Sequence, residues 1–480
     1  MRRIRMKRGP SAAIAVGCLV VLASSCATPA SSPSRSHTSS PARPLGVTWM
    51  QGFAAPGTPA KYDKVGVIKV GPSSAKNVLV LEPGTSAGSA YFVPLAQWIV
   101  SKAKGWQVWS VERRENLLED QSELNVFKEG KATATQLFDY YLGFLKDSHI
   151  KDHLQLISNS TVEFAKQWGM KVAVEDLHVV IQAAKELGGN VVLGGHSLGG
   201  AVVTAYATWG FNGRAGADDL AGLVYIDGGS FGSPPSAQQA TKELQSLDAP
   251  RASPWLAFGG IPAPFAGVFN ATGSVEALID PNGPSLGQTS GVLPPALVPA
   301  VRVTNLAQYG YALNVGTSPR SLLAAQAHLG RGIATAGPIH GWDGAGALTP
   351  IKRFATMFSG MAMKNVDGTE WYFPQRLTDD AGAVDNGDPN SAQGVLDVDA
   401  TMGHDLPRGL MIYAFGARLG GAAVLEDARI LAQQSHIPMS NLTLVNRQST
   451  YAHNDPAGAY PHNVFFAHLV PFLEKISSHG

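Results

Sequence analysis

The stretch Asn190–Gly200, NVVLGGHSLGG, sets one histidine and one serine among four glycines, directly after the apolar run Val191-Val192-Leu193. Glycine weakens a strand interior, so the chain after Leu193 needs backbone freedom more than it needs packing. A buried strand, a sharp turn carrying Ser197 and a helix beginning at Leu198 would meet that need. In so tight a turn any Cβ on the flanking residues would clash. The serine is held strained with its hydroxyl exposed, and the first amides of the helix favour negative charge at the same spot. This is chemistry suited to a nucleophile. A glycine-rich phosphate turn would present a lysine or a second spaced glycine pattern, and neither is there. Serine is a poor nucleophile at its own pKa and requires a base within hydrogen-bond reach. His196 lies inside the turn and reads as packing, so the base must come from elsewhere among the 13 histidines.

The elements that would carry this corner alternate along the chain. Strands are expected at Tyr62–Gly71, at Asn77–Gly84, in WQVWSVE, in NVVLGG, in AGLVYIDGG, in GLMIYAF and in NLTLVN. Between them lie helical patterns: SAYFVPLAQWIVSKAKG, VAVEDLHVVIQAAKELGG, LGGAVVTAYATWGF, LEDARILAQQS and the closing NVFFAHLVPFLEKI. Most of the strands are apolar on both sides, which predicts an α/β chain with a mostly parallel, doubly wound sheet flanked by helices. Two stretches break the alternation, roughly 115–170 and 230–404. Loops of that length without structure do not suit a compact domain, so both read as folded insertions. The second mixes Pro and Gly with apolar residues, as in SPWLAFGGIPAPFAGVF, and reads as a lid over a pocket rather than a separate domain packed on the edge.

In this setting Gly195-His196-Ser197-Leu198-Gly199 resembles the nucleophile elbow Gly-x-Ser-x-Gly of the α/β-hydrolase superfamily, and the resemblance covers most of residues 45–480 apart from the two insertions. It implies a fold and a set of roles. Ser197 would be the nucleophile. The base would follow the last strand, where Ala452-His453-Asn454-Asp455 stands; His453 is therefore expected as base, with His462 and His468 as surface or packing residues. The acid usually follows the seventh strand, but here no carboxylate appears until Glu426 and Asp427, already in a helix. Some members take the acid from the end of the sixth strand, which points to Asp227, with Glu426 or Asp427 as the alternative. The amide of Leu198 would form one half of an oxyanion hole. The other would come from Pro83-Gly84-Thr85, at the Thr85 amide or, failing that, at Ser86. After the fourth strand, VERRENLLED places Arg113, Arg114, Glu115 and Asp120 either in a structural ion-pair cluster or at a charged mouth.

The implied activity is that of a serine hydrolase of carboxylic esters, carboxylesterase- or lipase-like, working through an acyl-enzyme. An amidase or peptidase would use the same three residues. A catalytically silent binding lipoprotein of the same fold is the reading from a different class. Epoxide and haloalkane hydrolases of this fold would need aspartate at position 197. The sequence carries no metal-ligand spacing and no nucleotide fingerprint, so neither metal nor cofactor is expected.

Composition sets the remaining bounds. The chain has 480 residues, 45 % hydrophobic and 15 % charged, as a globular protein does, and a formal net charge of +1. Five of its 37 basic residues fall in the first eight positions; without them 32 face 36 acidic residues, a net charge of about −4. With no basic stripe, nucleic acid is not an expected partner. Residues 1–25 have the basic start, short apolar run and small-residue end of an export signal. Leu22-Ala23-Ser24-Ser25-Cys26 resembles a bacterial lipobox, which would leave Cys26 lipidated and the protein anchored at the cell surface or in the periplasm. Residues 26–44, rich in Ser, Pro and Thr, read as a flexible tether. Both cysteines, Cys18 and Cys26, lie within residues 1–26, so the body contains neither a disulfide nor a thiol nucleophile.

Overall fold

The computed structural model describes residues 45–230 and 232–479. The export signal, Cys26 and the tether therefore lie outside the described residues. The described residues form one compact unit.

Its centre is an eight-stranded sheet. In chain order the strands are β1 (Val47–Gln51), β2 (Lys64–Val70), β3 (Asn77–Glu82), β4 (Trp106–Glu112), β5 (Val191–His196), β6 (Gly222–Ile226), β7 (Met411–Gly416) and β8 (Leu442–Asn446). Their spatial order is β1-β2-β4-β3-β5-β6-β7-β8. β2 runs antiparallel to both β1 and β4, and every other pairing is parallel. The helices that matter to the site are α1 (Val93–Lys102), α2 (Met170–Lys185), α3 (Leu198–Thr208), α4 (Phe265–Ile279), α5 (Asn305–Leu313), α6 (Gly421–Gln434) and α7 (Val464–His479).

The alternation of side chains along each strand separates two cores. Val78, Val80, Val191, Leu193, Leu223 and Tyr225 face α2, α3 and α6. Leu79, Leu81, Val192, Val224 and Ile226 face the opposite side, with α1 and α7. The strands carry apolar residues at consecutive positions because both faces are covered. Neighbouring strands β3 and β5 therefore send their crossovers to opposite faces, β3 through α1 and β5 through α3. A crevice opens at the carboxyl ends of the strands where crossovers diverge in this way. This strand order and its crossovers are those of the α/β-hydrolase fold.

Three details differ from the sequence reading. β1, VTWMQ, is a half-buried edge strand without an apolar run. α3 stops at Thr208 instead of continuing through Phe211, because Gly210–Phe211 pairs with Arg214–Ala215 in a small ribbon. α6 begins at Gly421, before Leu425. The insertions are folded and pack on each other: Leu124, Phe127 and Phe138 of the first share a core with Val268, Val275 and Trp371 of the second. The second insertion is not lid throughout. Phe373, Leu377, Leu396 and Val398 near its end join the core on the α2–α3 face of the sheet.

Candidate active site

Ser197 sits between β5 and α3 with φ 56° and ψ −127°. A non-glycine residue there costs on the order of 1–3 kcal/mol and persists only where its surroundings enforce it. The enforcement comes from close backbone approaches. A Cβ on Gly195 would stand 2.1 Å from the Gly199 carbonyl oxygen, and one on Gly199 would stand 2.4 Å from that of Glu82. The Ser197 amide donates to the Ile226 carbonyl at 3.1 Å, pinning the turn to β6. The serine is half-buried and lines a cavity whose empty space, open solvent included, is about 1170 Å³.

His453 arrives from the loop after β8. It is fully buried, lines the same cavity, and its Nδ1 lies 2.7 Å from Asp227 Oδ2. Among the described residues its Nε2 has no hydrogen-bond partner. The imidazole thus has one nitrogen tied to a carboxylate and the other free, in the cavity that holds the serine.

Asp227 follows β6 at φ 47° and is 1 % exposed. Besides His453 it accepts four backbone amides from the turn after β7. Ala417, Gly420 and Gly421 donate to Oδ1 at 2.6, 2.9 and 3.1 Å, and Leu419 donates to Oδ2 at 3.0 Å. Burial alone would raise its pKa, but the His453 contact and these amides outweigh burial and hold it below the ordinary carboxylate value. The turn after β7, which has no acid of its own, instead cradles the acid supplied by β6. The two alternative carboxylates are elsewhere: Glu426 is exposed and pairs with Arg429, while Asp427 is buried, meets no histidine, and has one oxygen without a partner among the described residues. His462 and His468 are both exposed.

The amides of Leu198, Thr85 and Ser86 donate to no acceptor among the described residues. Leu198 opens α3, so its amide has no carbonyl one turn back. Gly84 is pressed against the elbow: a Cβ there would stand 2.7 Å from Ser197 Cβ and 2.9 Å from the His196 carbonyl oxygen. Ser86 has φ 57°. The loop Pro83–Ala87 is held by Arg113, whose Nη1 donates to the Pro83 carbonyl at 2.9 Å and whose Nη2 donates to those of Gly84 and Ala87 at 2.9 and 3.1 Å. The same guanidinium is paired with Glu82 at 2.7 Å and Glu370 at 2.5 Å.

The charged run after β4 is therefore buried and forms no mouth. Arg113 belongs to one cluster with Glu82, Glu115 and Glu370, and Arg114 to a second with Asp63 and Asp176. Asp120 joins neither and accepts from Tyr140. The position of Arg113 directly after a strand was visible in the sequence; its three carbonyl partners, 26 to 30 residues upstream, were not.

Sequence reading also understated His196. Its Nε2 lies 2.9 Å from the backbone oxygen of His453. A carbonyl only accepts, so that nitrogen carries the proton. Burial, and behind it the neighbouring His453 ring, hold the His196 pKa down at about 3, so the ring is neutral. Stacked on Tyr91 and packed against the tilted ring of His453, it ties the elbow to the loop that carries the imidazole.

No protein-family model matches this sequence, and no curated protein matches it. Among solved structures it is similar to a lipase candidate from Sulfolobus solfataricus at 13 % identity and TM-score 0.43, over 89 % of this chain and 93 % of that one. A thioesterase domain from the curacin biosynthetic pathway matches at 12 % and 0.40, over 90 % of this chain and 99 % of that one. An esterase from Thermogutta terrifontis matches at 12 % and 0.37, over 90 % and 99 % respectively. Likeness this low settles nothing by itself. Strand order, diverging crossovers and the strained serine corner are what define the α/β-hydrolase fold here. Among the described residues no group of three or more His, Cys, Asp or Glu is poised to hold a metal, and no helix is long and apolar enough to cross a membrane.

Proposed function

We propose that this protein is a serine hydrolase of carboxylic esters with sizeable apolar groups, with Ser197 as nucleophile, His453 as base and Asp227 as its acid. The observation that carries the reading is the imidazole: Nδ1 held at 2.7 Å by a buried carboxylate and Nε2 unpartnered in the cavity shared with Ser197. Ser197 Oγ attacks the ester carbon while His453 Nε2 takes its proton, and Asp227 stabilises the imidazolium. The charge that develops on the carbonyl oxygen is met by the amides of Leu198 and of Thr85, with Ser86 beside it. Collapse breaks the carbon–oxygen bond to the alcohol, which leaves with the proton from His453. Water, deprotonated by the same nitrogen, then attacks the acyl-enzyme and releases the acid and Ser197.

Phe138, Phe258, Phe269, Leu297 and Leu322 line the cavity and supply a surface for apolar substrate. A panel of p-nitrophenyl esters from acetate to decanoate tests this. Expected is a rise in kcat/KM with chain length of roughly fourfold per methylene, from about 0.8 kcal/mol each, until the cavity fills; strict preference for acetate would overturn it. The location is part of the same proposal and rests on the sequence of residues 1–26 alone: export, followed by lipid anchoring at Cys26. A Cys26→Ala chain should leave the membrane fraction, and unchanged membrane association would contradict the anchor.

A further inference from the structure

The cavity wall contributed by α4 and α5 carries polar side chains that the reaction above does not use. Three of them are engaged by the protein itself. Asn305 Nδ2 donates to the Asp280 carbonyl at 2.9 Å, Tyr309 Oη donates to Asn270 Oδ1 at 3.0 Å, and Ser285 Oγ accepts from the Gln288 amide at 3.3 Å. Two are not. Glu276, on α4, and Gln308, on α5, line the cavity and are each 8 % exposed. Among the described residues, Glu276 Oε1 and Gln308 Oε1 are buried without a hydrogen-bond partner.

The orientation of Gln308 is fixed. Its amide reaches the Leu297 carbonyl at 2.6 Å, which only the nitrogen can do. The oxygen is therefore left as a pure acceptor in the cavity. Burial, helped by the Asp280 carboxylate one turn on, pushes the Glu276 acid up to about 8, so at neutral pH it is mostly protonated and both donates and accepts. Buried polar atoms are nearly always paired. Two orphans on a cavity wall whose other polar side chains are already paired mark a position where a ligand completes the bonds. An alkyl chain would leave both unpaired. A hydroxyl can donate to Gln308 Oε1 and can accept from the Glu276 acid, whereas an ammonium has no acceptor to offer.

We infer that Glu276 and Gln308 form a binding station for a hydroxyl group that the substrate carries away from its ester, so that hydroxylated esters are favoured over plain alkyl esters. The inference rests on the hydrolase reading only for the ligand being an ester. Its test separates the two by measuring binding apart from turnover. In the Ser197→Ala protein, dissociation constants are compared for methyl dodecanoate, its mono-hydroxylated isomers and the corresponding amino esters. The best hydroxylated isomer should bind roughly tenfold more tightly than the plain ester, the scale of one buried hydrogen bond regained. Adding Gln308→Met or Glu276→Leu should bring that ratio close to one, with thermal melts verifying that each variant is folded. Equal affinity for plain and hydroxylated esters would overturn the station, as would tighter binding of an amino ester or failure to bind any of the set. If wild-type protein hydrolyses none of the esters while the hydroxyl preference persists, the hydrolase reading falls and the station stands.

Discussion

Replacing Ser197 with alanine should lower kcat/KM for ester hydrolysis by roughly 10⁵–10⁶-fold, the scale of removing the nucleophile of a cooperating triad. The fold should survive, because the side chain makes no hydrogen bond that holds the turn; the backbone contacts of Gly195, Gly199 and the Ile226 carbonyl do that. Stability gives a second, independent readout. Ser197 is held at φ 56°, where alanine is as strained as serine and glycine is not. Ser197→Gly should therefore be about 1 kcal/mol more stable than Ser197→Ala in urea denaturation, the relief of strain exceeding the entropy cost of glycine. Two equally stable variants would show that the elbow stores no strain. Activity retained in either variant would remove Ser197 from the chemistry.

The second large effect is expected at Asp227. Asparagine there should reduce kcat by roughly 10³–10⁴-fold, as when a triad loses the carboxylate that sets its histidine tautomer. Here the geometry sharpens the expectation. Oδ1 accepts three backbone amides, and Oδ2 accepts the Leu419 amide together with His453 Nδ1. Asparagine has one oxygen, so its NH₂ must confront either the three amides or the Leu419 amide and the imidazole. Turning it toward the imidazole would force the proton from Nδ1 to Nε2, where the base has to be free. The variant should also lose a pH-dependent part of its stability. The folded pKa of Asp227 is depressed, so its contribution is complete at neutral pH, above the unfolded carboxylate value. It fades as pH falls through the folded value. Asp427→Asn is the comparison: Asp427 touches no catalytic group, and burial pushes its acid up to about 7, so a neutral amide replaces a group already half neutral at that pH. Its kcat should be unchanged. Equal losses in the two variants would mean that neither carboxylate serves His453.

How far the sequence reached depends on whether the signal was local. The central parallel strands were legible because each is a short apolar run covered on both faces, and the elbow was legible because its glycines and serine are contiguous. Asp227 was reachable only through the absence of an acid after β7, with the resemblance supplying the sixth-strand alternative. The edge strand β1 was missed because only one neighbour and one half-covered face constrain it, which leaves no apolar run to read. Contacts between distant segments left no trace. Nothing near His196 announces a bond to a backbone oxygen 257 residues later, and nothing near Arg113 announces its grip on the loop before α1. Gln308 lies in a helix of ordinary amphipathic pattern, and only the tertiary packing of α4 against α5 turns its oxygen into an orphan. The second insertion reads uniformly as Pro- and Gly-rich chain, although one part walls the cavity and another fills the core on the far side of the sheet.

All of this depends on a hydroxyl at the end of β5 being made reactive by the pairing of His453 with Asp227. The most direct measurement is labelling of the folded protein with a fluorophosphonate, followed by mass spectrometry of the peptides. The account predicts a single phosphonylated peptide bearing the mass on Ser197, with labelling absent in Ser197→Ala and strongly slowed in His453→Ala. A folded wild-type protein that stays unlabelled, or that carries the label on another residue, would contradict it.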